Sequence, residues 1–201
     1  MARNSTRYMS KSNWHEIKRG HVFEAAMLYS PSDTNRPLYF FEEDGPNSTT
    51  GSIVQRVGDF APKKIGRTYA AKQQRMVIGI KPRRVVIISN DKINKHHDYD
   101  YIMVAPMFTF HPGDEKKPGY QKILDDDHPY FVYFPREIEP GKILKRYIDV
   151  SQLISIHKGI LLEQKEVVPA DRMELLEDLL IDNLDLAAEG EDGERVVVAA
   201  T

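Results

Sequence analysis

Short runs of β-branched and aromatic residues, each closed by turn formers, fill most of the chain. Val22 to Leu28, Val85 to Ile88, Tyr101 to Phe110, Pro129 to Phe134 and Tyr147 to Ile156 all read as strands. The second of these ends in Ser89-Asn-Asp91, a turn signal. From Pro169 the period changes. Met173, Leu176, Leu180 and Leu184 recur at helical spacing behind a proline and the acidic pair Asp171 and Glu174, which predicts an amphipathic helix over about 169–184. The pattern is that of a mainly β domain with α structure, the helix laid against a sheet.

The alternation breaks down after the first strand. Ser30 to Pro37 and Glu42 to Gly51 are dense in turn formers, with Leu38-Tyr-Phe-Phe41 between them as a hairpin strand or loop anchor. Ser52 to Asp59 and Thr68 to Ile80 add further candidate strands to the same excursion. Residues 1–13 are polar and read as a flexible arm, and 187–201 as a solvated tail. The expected organisation is a single domain over 14–186 with an insertion at about 27–80, and no internal repeat. An insertion of that length in a compact domain is expected to fold partly over the site and control access.

Composition changes this picture only locally. The 201 residues carry a net charge of −2, with 41% hydrophobic and 29% charged residues, so a general polycation is excluded. There is no cysteine, which excludes disulfides and thiolate metal sites, and no apolar run of membrane-spanning length. A soluble cytoplasmic protein is expected. Yet Phe60 to Asn90 holds eight Lys or Arg residues and no Asp or Glu. These are Lys63, Lys64, Arg67, Lys72, Arg75, Lys81, Arg83 and Arg84, with Tyr69, Gln73 and Gln74 interleaved. They read either as a solvated face that pairs with acids such as Asp125 to Asp127, or as a nucleic-acid contact. The loop His111 to Gly119 adds Lys116 and Lys117.

Three phrases carry a resemblance to a family. Lys18-Arg-Gly-His-Val-Phe23, Arg83-Arg-Val-Val-Ile-Ile-Ser-Asn-Asp91 and Val104-Ala-Pro-Met-Phe-Thr109 resemble, in order, the strands of the MazF/PemK (Kid) toxins of bacterial toxin-antitoxin systems. The run Tyr147 to Ile156 and the helix after Pro169 resemble the family's closing elements. The resemblance implies an SH3-like β-barrel with a C-terminal helix, a homodimer, an antitoxin partner, and a metal-independent endoribonuclease that uses no cofactor. It also marks the insertion, because family members are usually much shorter.

The chemistry that the resemblance implies uses RNA's own 2′-hydroxyl, so the protein has only to orient it, move two protons and stabilise charge on the phosphorus. Arg83 suits the last role, since its planar fork matches two phosphate oxygens; the bland alternative is a strand-edge arginine in a surface pair. Thr109 reads either as an oxyanion donor or as a β-branched sheet residue. Aligned without a gap, the family's threonine falls on Phe108, and one residue of shift points to the other face. Either a bulge restores the hydroxyl, another donor replaces it, or activity is lost. His111, two positions after Thr109, is either that donor or an exposed loop histidine. Adjacent His96 and His97 point oppositely in an extended segment, which argues against a shared metal.

Three function classes follow: a toxin-like endoribonuclease, an inactive barrel that binds RNA or a protein, and a gyrase inhibitor like the related CcdB group. The nucleic-acid contacts are expected from Lys63, Lys64, Arg67, Arg75, Lys81, Arg84, Lys116 and Lys117. The basic approach to Arg83 disfavours the gyrase reading, which needs no phosphate contact.

Overall fold

The phrase Lys18-Arg19-Gly20 sets the entry to the first strand, and it does so through glycine geometry. Gly20 is buried at a φ of +77°, which strains any residue with a side chain, and a Cβ there would press on the Met173 sulfur at 3.3 Å. Its N–H donates to the Ile87 carbonyl and its own carbonyl accepts from Val168. The next phrase meets it: the Arg19 N–H donates to Asp91 Oδ1 at 2.8 Å, and Asn90 caps the short helix that follows by accepting from the Ile93 N–H. The turn signal Ser89-Asn-Asp91 is therefore a helix cap that ties two strands together.

The computed structural model describes residues 8–28, 38–45, 48–56, 61–70, 73–186, 188–189 and 195–196. In chain order the strands are β1 (His21–Leu28), β2 (Tyr39–Glu43), β3 (Gly51–Gln55), β4 (Lys63–Ile65), β5 (Thr68–Ala70), β6 (Arg75–Val77), β7 (Ile80–Ile87), β8 (Tyr101–Thr109), β9 (Phe131–Tyr133), β10 (Arg136–Glu139), β11 (Lys142–Leu144), β12 (Arg146–Asp149), β13 (Ile154–His157) and β14 (Leu161–Val167). The α-helices are α1 (Asp91–Lys95), α2 (Tyr120–Leu124) and α3 (Ala170–Asn183). Two compact units result, one of 1–26 with 82–201 and one of 27–81.

In the first unit an antiparallel sheet runs in the order β14-β1-β7-β8-β12-β9, with β13 also paired to β8. The architecture is mainly β with a C-terminal helix, and among the described residues no ladder joins β9 to β14, so the sheet is open rather than a closed barrel. Its sharpest change lies along β8. The first half of β8 pairs with β13, from Tyr101↔His157 to Val104↔Ile154, and the second half with β12, from Met107↔Ile148 to Thr109↔Arg146. The switch falls at Ala105-Pro106, where proline has no N–H for a ladder. The run Tyr147 to Ile156 is accordingly not one strand: the Asp149 carboxylate accepts from the N–H and hydroxyl of Ser151 and from Gln152, turning the chain between β12 and β13.

Helix α3 begins after Pro169, which stands just outside it with φ −59°. Leu176 and Leu180 bury against Val22, Val86, Ile88, Ala105, Met107, Val132, Phe134, Ile148, Val150 and Val168. Burying a leucine side chain contributes about 2 kcal/mol, so the docked helix is fixed by its apolar stripe and not by propensity. Within the segment 1–13 expected as an arm, Lys11 begins a 3-10 helix over Lys11–Glu16, and the Met9 N–H donates to the Leu161 carbonyl. In the expected tail, 188–189 pair with 195–196, and the remainder of 187–201 lies outside the described residues.

In the second unit β2 is flanked by β3 and β6, and β4 and β5 form a separate hairpin. Phe40 is fully buried, while Tyr39 is 44% exposed.

Candidate nucleic-acid interface

The parity of β7 and β8 decides what shares a face. Val85 pairs with Pro106 and Val86 with Ala105. Val86, Ala105 and Met107 face α3, so Arg84, two residues before Val86, lies on that side and Arg83 on the other. Phe108 is on Arg83's side too, and the Arg83 guanidinium carbon lies 6.0 Å from the centre of its ring. That distance is within cation–π range. Thr109 is directly opposite Arg146, whose neighbour Ile148 belongs to the α3 core. The register thus separates Arg83 from Thr109 and leaves Phe108 where the resemblance places a hydroxyl. No bulge is found between Met107 and Thr109.

Phe108 heads a row of aromatic side chains. Its ring stacks on Tyr147 at 5.6 Å, and Tyr147 in turn meets Phe110 at 4.9 Å and Phe131 at 5.0 Å. Phe131 stacks flat on His128 at 4.3 Å, with 15° between the planes. Phe110 packs edge-on against Tyr120 at 4.9 Å, and Lys145 donates to the Tyr120 hydroxyl at 2.9 Å. Phe108, Phe110, Tyr120, Phe131 and Tyr147 are all half-buried. Burial raises the Tyr147 hydroxyl pKa first of all, helped by the negative charge of Asp149, so the phenol stays protonated and a donor. The pKa of His128 is lowered, chiefly by burial and then by Lys122, and its Nδ1 accepts from the Tyr130 N–H, so the neutral ring carries its proton on the other nitrogen. Of these residues the sequence points to Phe108 alone, through the shifted threonine, although the two-residue spacing of Phe108 and Phe110, and of Phe131 and Tyr133, places each pair on one face of an extended strand.

Arg84 belongs to a different, buried network. Arg146 is 1% exposed and reaches Glu166 through both terminal nitrogens, at 2.5 and 3.0 Å. Arg84 stands 3.7 Å from the same carboxylate. Burial pushes the Glu166 pKa up most strongly, but the Arg146 hydrogen bond and charge, with Arg84 added, outweigh it and the net shift is downward. The Arg146 guanidinium also lies 4.8 Å over the Phe134 ring. Arg84, expected at the nucleic-acid surface, is half-buried and stands beside the half-buried Glu166 on the α3 side of the sheet.

The other basic residues are spread over several elements. Lys63, Lys64 and Arg67 are exposed on the β4–β5 hairpin, whose turn is Gly66 at φ +62°; Arg75 on β6 is exposed and ion-paired with Glu43; Lys81 is exposed at the start of β7. In the loop after β8, His111 is exposed and its N–H donates to Asp114 Oδ2 at 2.7 Å. Lys117 pairs with the other oxygen of Asp114 at 2.7 Å, and Lys116 is exposed beside it. Phe110 roots this loop in the aromatic row. Among the described residues there is no group of three or more His, Asp or Glu placed to hold a metal, and no helix is long and apolar enough to cross a membrane.

No family model matches the chain, and no curated protein does. Among solved structures, a similar chain is an endoribonuclease in complex with its cognate antitoxin, from a mycobacterial species. It is 13% identical with a TM-score of 0.43, over 86% of this chain and 98% of that one.

Proposed function

We propose that this protein is a toxin-like, RNA-acting domain that holds single-stranded RNA on the Arg83 face of its sheet. The observation that carries this reading is the Arg83 guanidinium over Phe108 at the head of the aromatic row. A planar fork matches phosphate oxygens, and half-exposed rings offer surfaces on which unpaired bases stack. The resemblance of Lys18 to Phe23, Arg83 to Asp91 and Val104 to Thr109 to the MazF/PemK phrases supports the class. With it come two further parts of the reading, a two-fold dimer that lays RNA across its junction and an antitoxin that covers the same face.

The geometry favours holding RNA over cutting it through Arg83 and Thr109, which the register sets on opposite faces. One observation favours a second reading, metal-independent cleavage. Tyr147 is directly across from Phe108, on the side of β8 away from Arg83, and brings a protonated hydroxyl to the aromatic row. In that reading the RNA 2′-hydroxyl gives its proton to solvent water as its oxygen attacks phosphorus, a 2′,3′-cyclic phosphate forms, and the bond to the 5′-oxygen breaks as that oxygen takes a proton from water. Arg83 balances the added negative charge and the tyrosine hydroxyl donates to the phosphoryl oxygen. Incubating purified protein with labelled single-stranded RNA in chelator, then resolving it on native and denaturing gels, separates the two. A shifted band without shortened products is expected; products lost in Tyr147→Phe would establish cleavage.

A further inference from the structure

We infer that the unit 27–81 carries a nucleobase-binding face of its own, in addition to the Arg83 surface proposed above. In the β3-β2-β6 sheet, Tyr39 pairs with Gln55 and Val77, and Phe41 with Ile53 and Arg75. These six side chains therefore share one face, while Phe40 and its partners Val54 and Met76 take the other. The shared face is open: Tyr39 is 44%, Val77 42% and Ile53 61% exposed. At Gly51 an added Cβ would meet the Glu42 carbonyl oxygen at 2.1 Å and the Phe41 ring at 2.8 Å, so backbone and ring both come close there. Glycine lets that ring lie against the sheet as a wall.

Beside that wall is a cleft of about 380 Å³ lined by Phe41, Glu43, Arg56, Gln73, Gln74 and Arg75. Its chemistry selects among ligands. A phosphate alone is poorly served, because Arg75 is ion-paired with Glu43, and Arg56 with Glu42 at 2.8 Å. An apolar side chain would strip water from two arginines, two glutamines and a carboxylate with nothing in return. A base fits both parts: it is flat enough to stack on Phe41 or Tyr39, and its edge carries donors and acceptors that the Gln73 amide matches, while Arg56, held over Phe40 and bonded to Gln74, shapes the cleft. The charge of the unit suits the phosphates between bases. Residues 27–81 hold eight Lys or Arg against five Asp or Glu, in a chain of net charge −2. The occupant is thus single-stranded nucleic acid.

The test uses the full chain and short single-stranded RNA carrying 4-thiouridine. Photo-crosslinked peptides are mapped, and affinity is followed by fluorescence anisotropy for the wild type, Tyr39→Ala, Phe41→Ala, Phe41→Tyr and Arg83→Ala. Crosslinks in 38–56 or 73–77 are expected, with affinity lowered about tenfold by Phe41→Ala and largely kept by Phe41→Tyr. Tyr39 is already exposed, so Tyr39→Ala, with the fold checked by circular dichroism, keeps the test open if Phe41→Ala does not fold. Crosslinks confined to 82–186, with affinity unchanged in both Tyr39→Ala and Phe41→Ala, would overturn the inference and leave the Arg83 reading standing. Loss only in Arg83→Ala separates the two in the same way, and so does loss only in the Tyr39 and Phe41 variants.

Discussion

The guanidinium of Arg83 lies over the ring of Phe108, 6.0 Å from its centre, on the face of the sheet opposite Thr109. An arginine and an aromatic ring hold a nucleotide by its phosphate and its base, whereas an arginine and a hydroxyl would polarise the phosphate for reaction. This pairing separates holding from cutting.

Replacing Thr109 with valine, which keeps the shape and removes the hydroxyl, is expected to leave RNA affinity and any RNA cleavage within about twofold of wild type, since the side chain stands across from Arg146 and away from Arg83. Anisotropy and a denaturing gel check both. A loss of cleavage in this variant would place Thr109 in the chemistry.

Arg84 is not equivalent to its neighbour. Arg84→Ala removes a half-buried charge from Glu166 and is expected to lower stability by roughly 1 kcal/mol with RNA affinity unchanged. Urea unfolding read by Trp14 fluorescence, with anisotropy alongside, measures the two effects. Affinity loss as large as that of Arg83→Ala would mean that the pair acts as one basic surface.

Much of the frame was legible in the sequence. β1, β7 and β8 fall on the runs Val22 to Leu28, Val85 to Ile88 and Tyr101 to Phe110, ending one residue short of the last two, because β-branched and aromatic runs bounded by turns have little else to form, and the stripe Leu176 and Leu180 docks the helix after Pro169. Two things were hidden. The break between β12 and β13 depends on the Asp149 carboxylate reaching three donors, a local choice that a run of strand formers conceals. The aromatic row is assembled from β8, β9, β12 and α2, so its members are far apart in sequence and only the register brings them together. The same parity explains Arg84: adjacent arginines in a strand cannot serve one face.

Glu166 makes a pH-dependent contribution whose sign follows from its shift. Its folded pKa lies below the ordinary carboxylate value because Arg146 and Arg84 outweigh the effect of burial. The stabilisation is therefore present above the unfolded pKa and lost as pH falls through the folded one. Glu166→Gln leaves Arg146 buried beside an uncharged amide and is expected to cost roughly 3–5 kcal/mol at neutral pH, with a flatter acid limb of the stability curve. Thermal unfolding across the acidic range reads this out, and a variant with unchanged acid dependence would contradict it.

Lys158 is fully buried, donating to the carbonyls of Ile93 and His96 at 2.8 Å each and lying 4.6 Å over the Trp14 ring. Lys158→Met keeps the stem and removes the donors, leaving two carbonyls at the end of α1 without them. A loss of roughly 2–4 kcal/mol is expected by urea unfolding, with RNA affinity kept. A neutral effect on stability would show that water replaces the ammonium there.

The most direct test of the account is the affinity of the full chain for single-stranded RNA in chelator, wild type against Arg83→Ala, Arg83→Lys and Phe108→Ala. Arg83→Ala and Phe108→Ala are each expected to weaken binding about tenfold without unfolding the protein, and Arg83→Lys to fall between, since lysine keeps the charge and loses the fork. Equal affinity across all four, or no measurable affinity in the wild type, would contradict it.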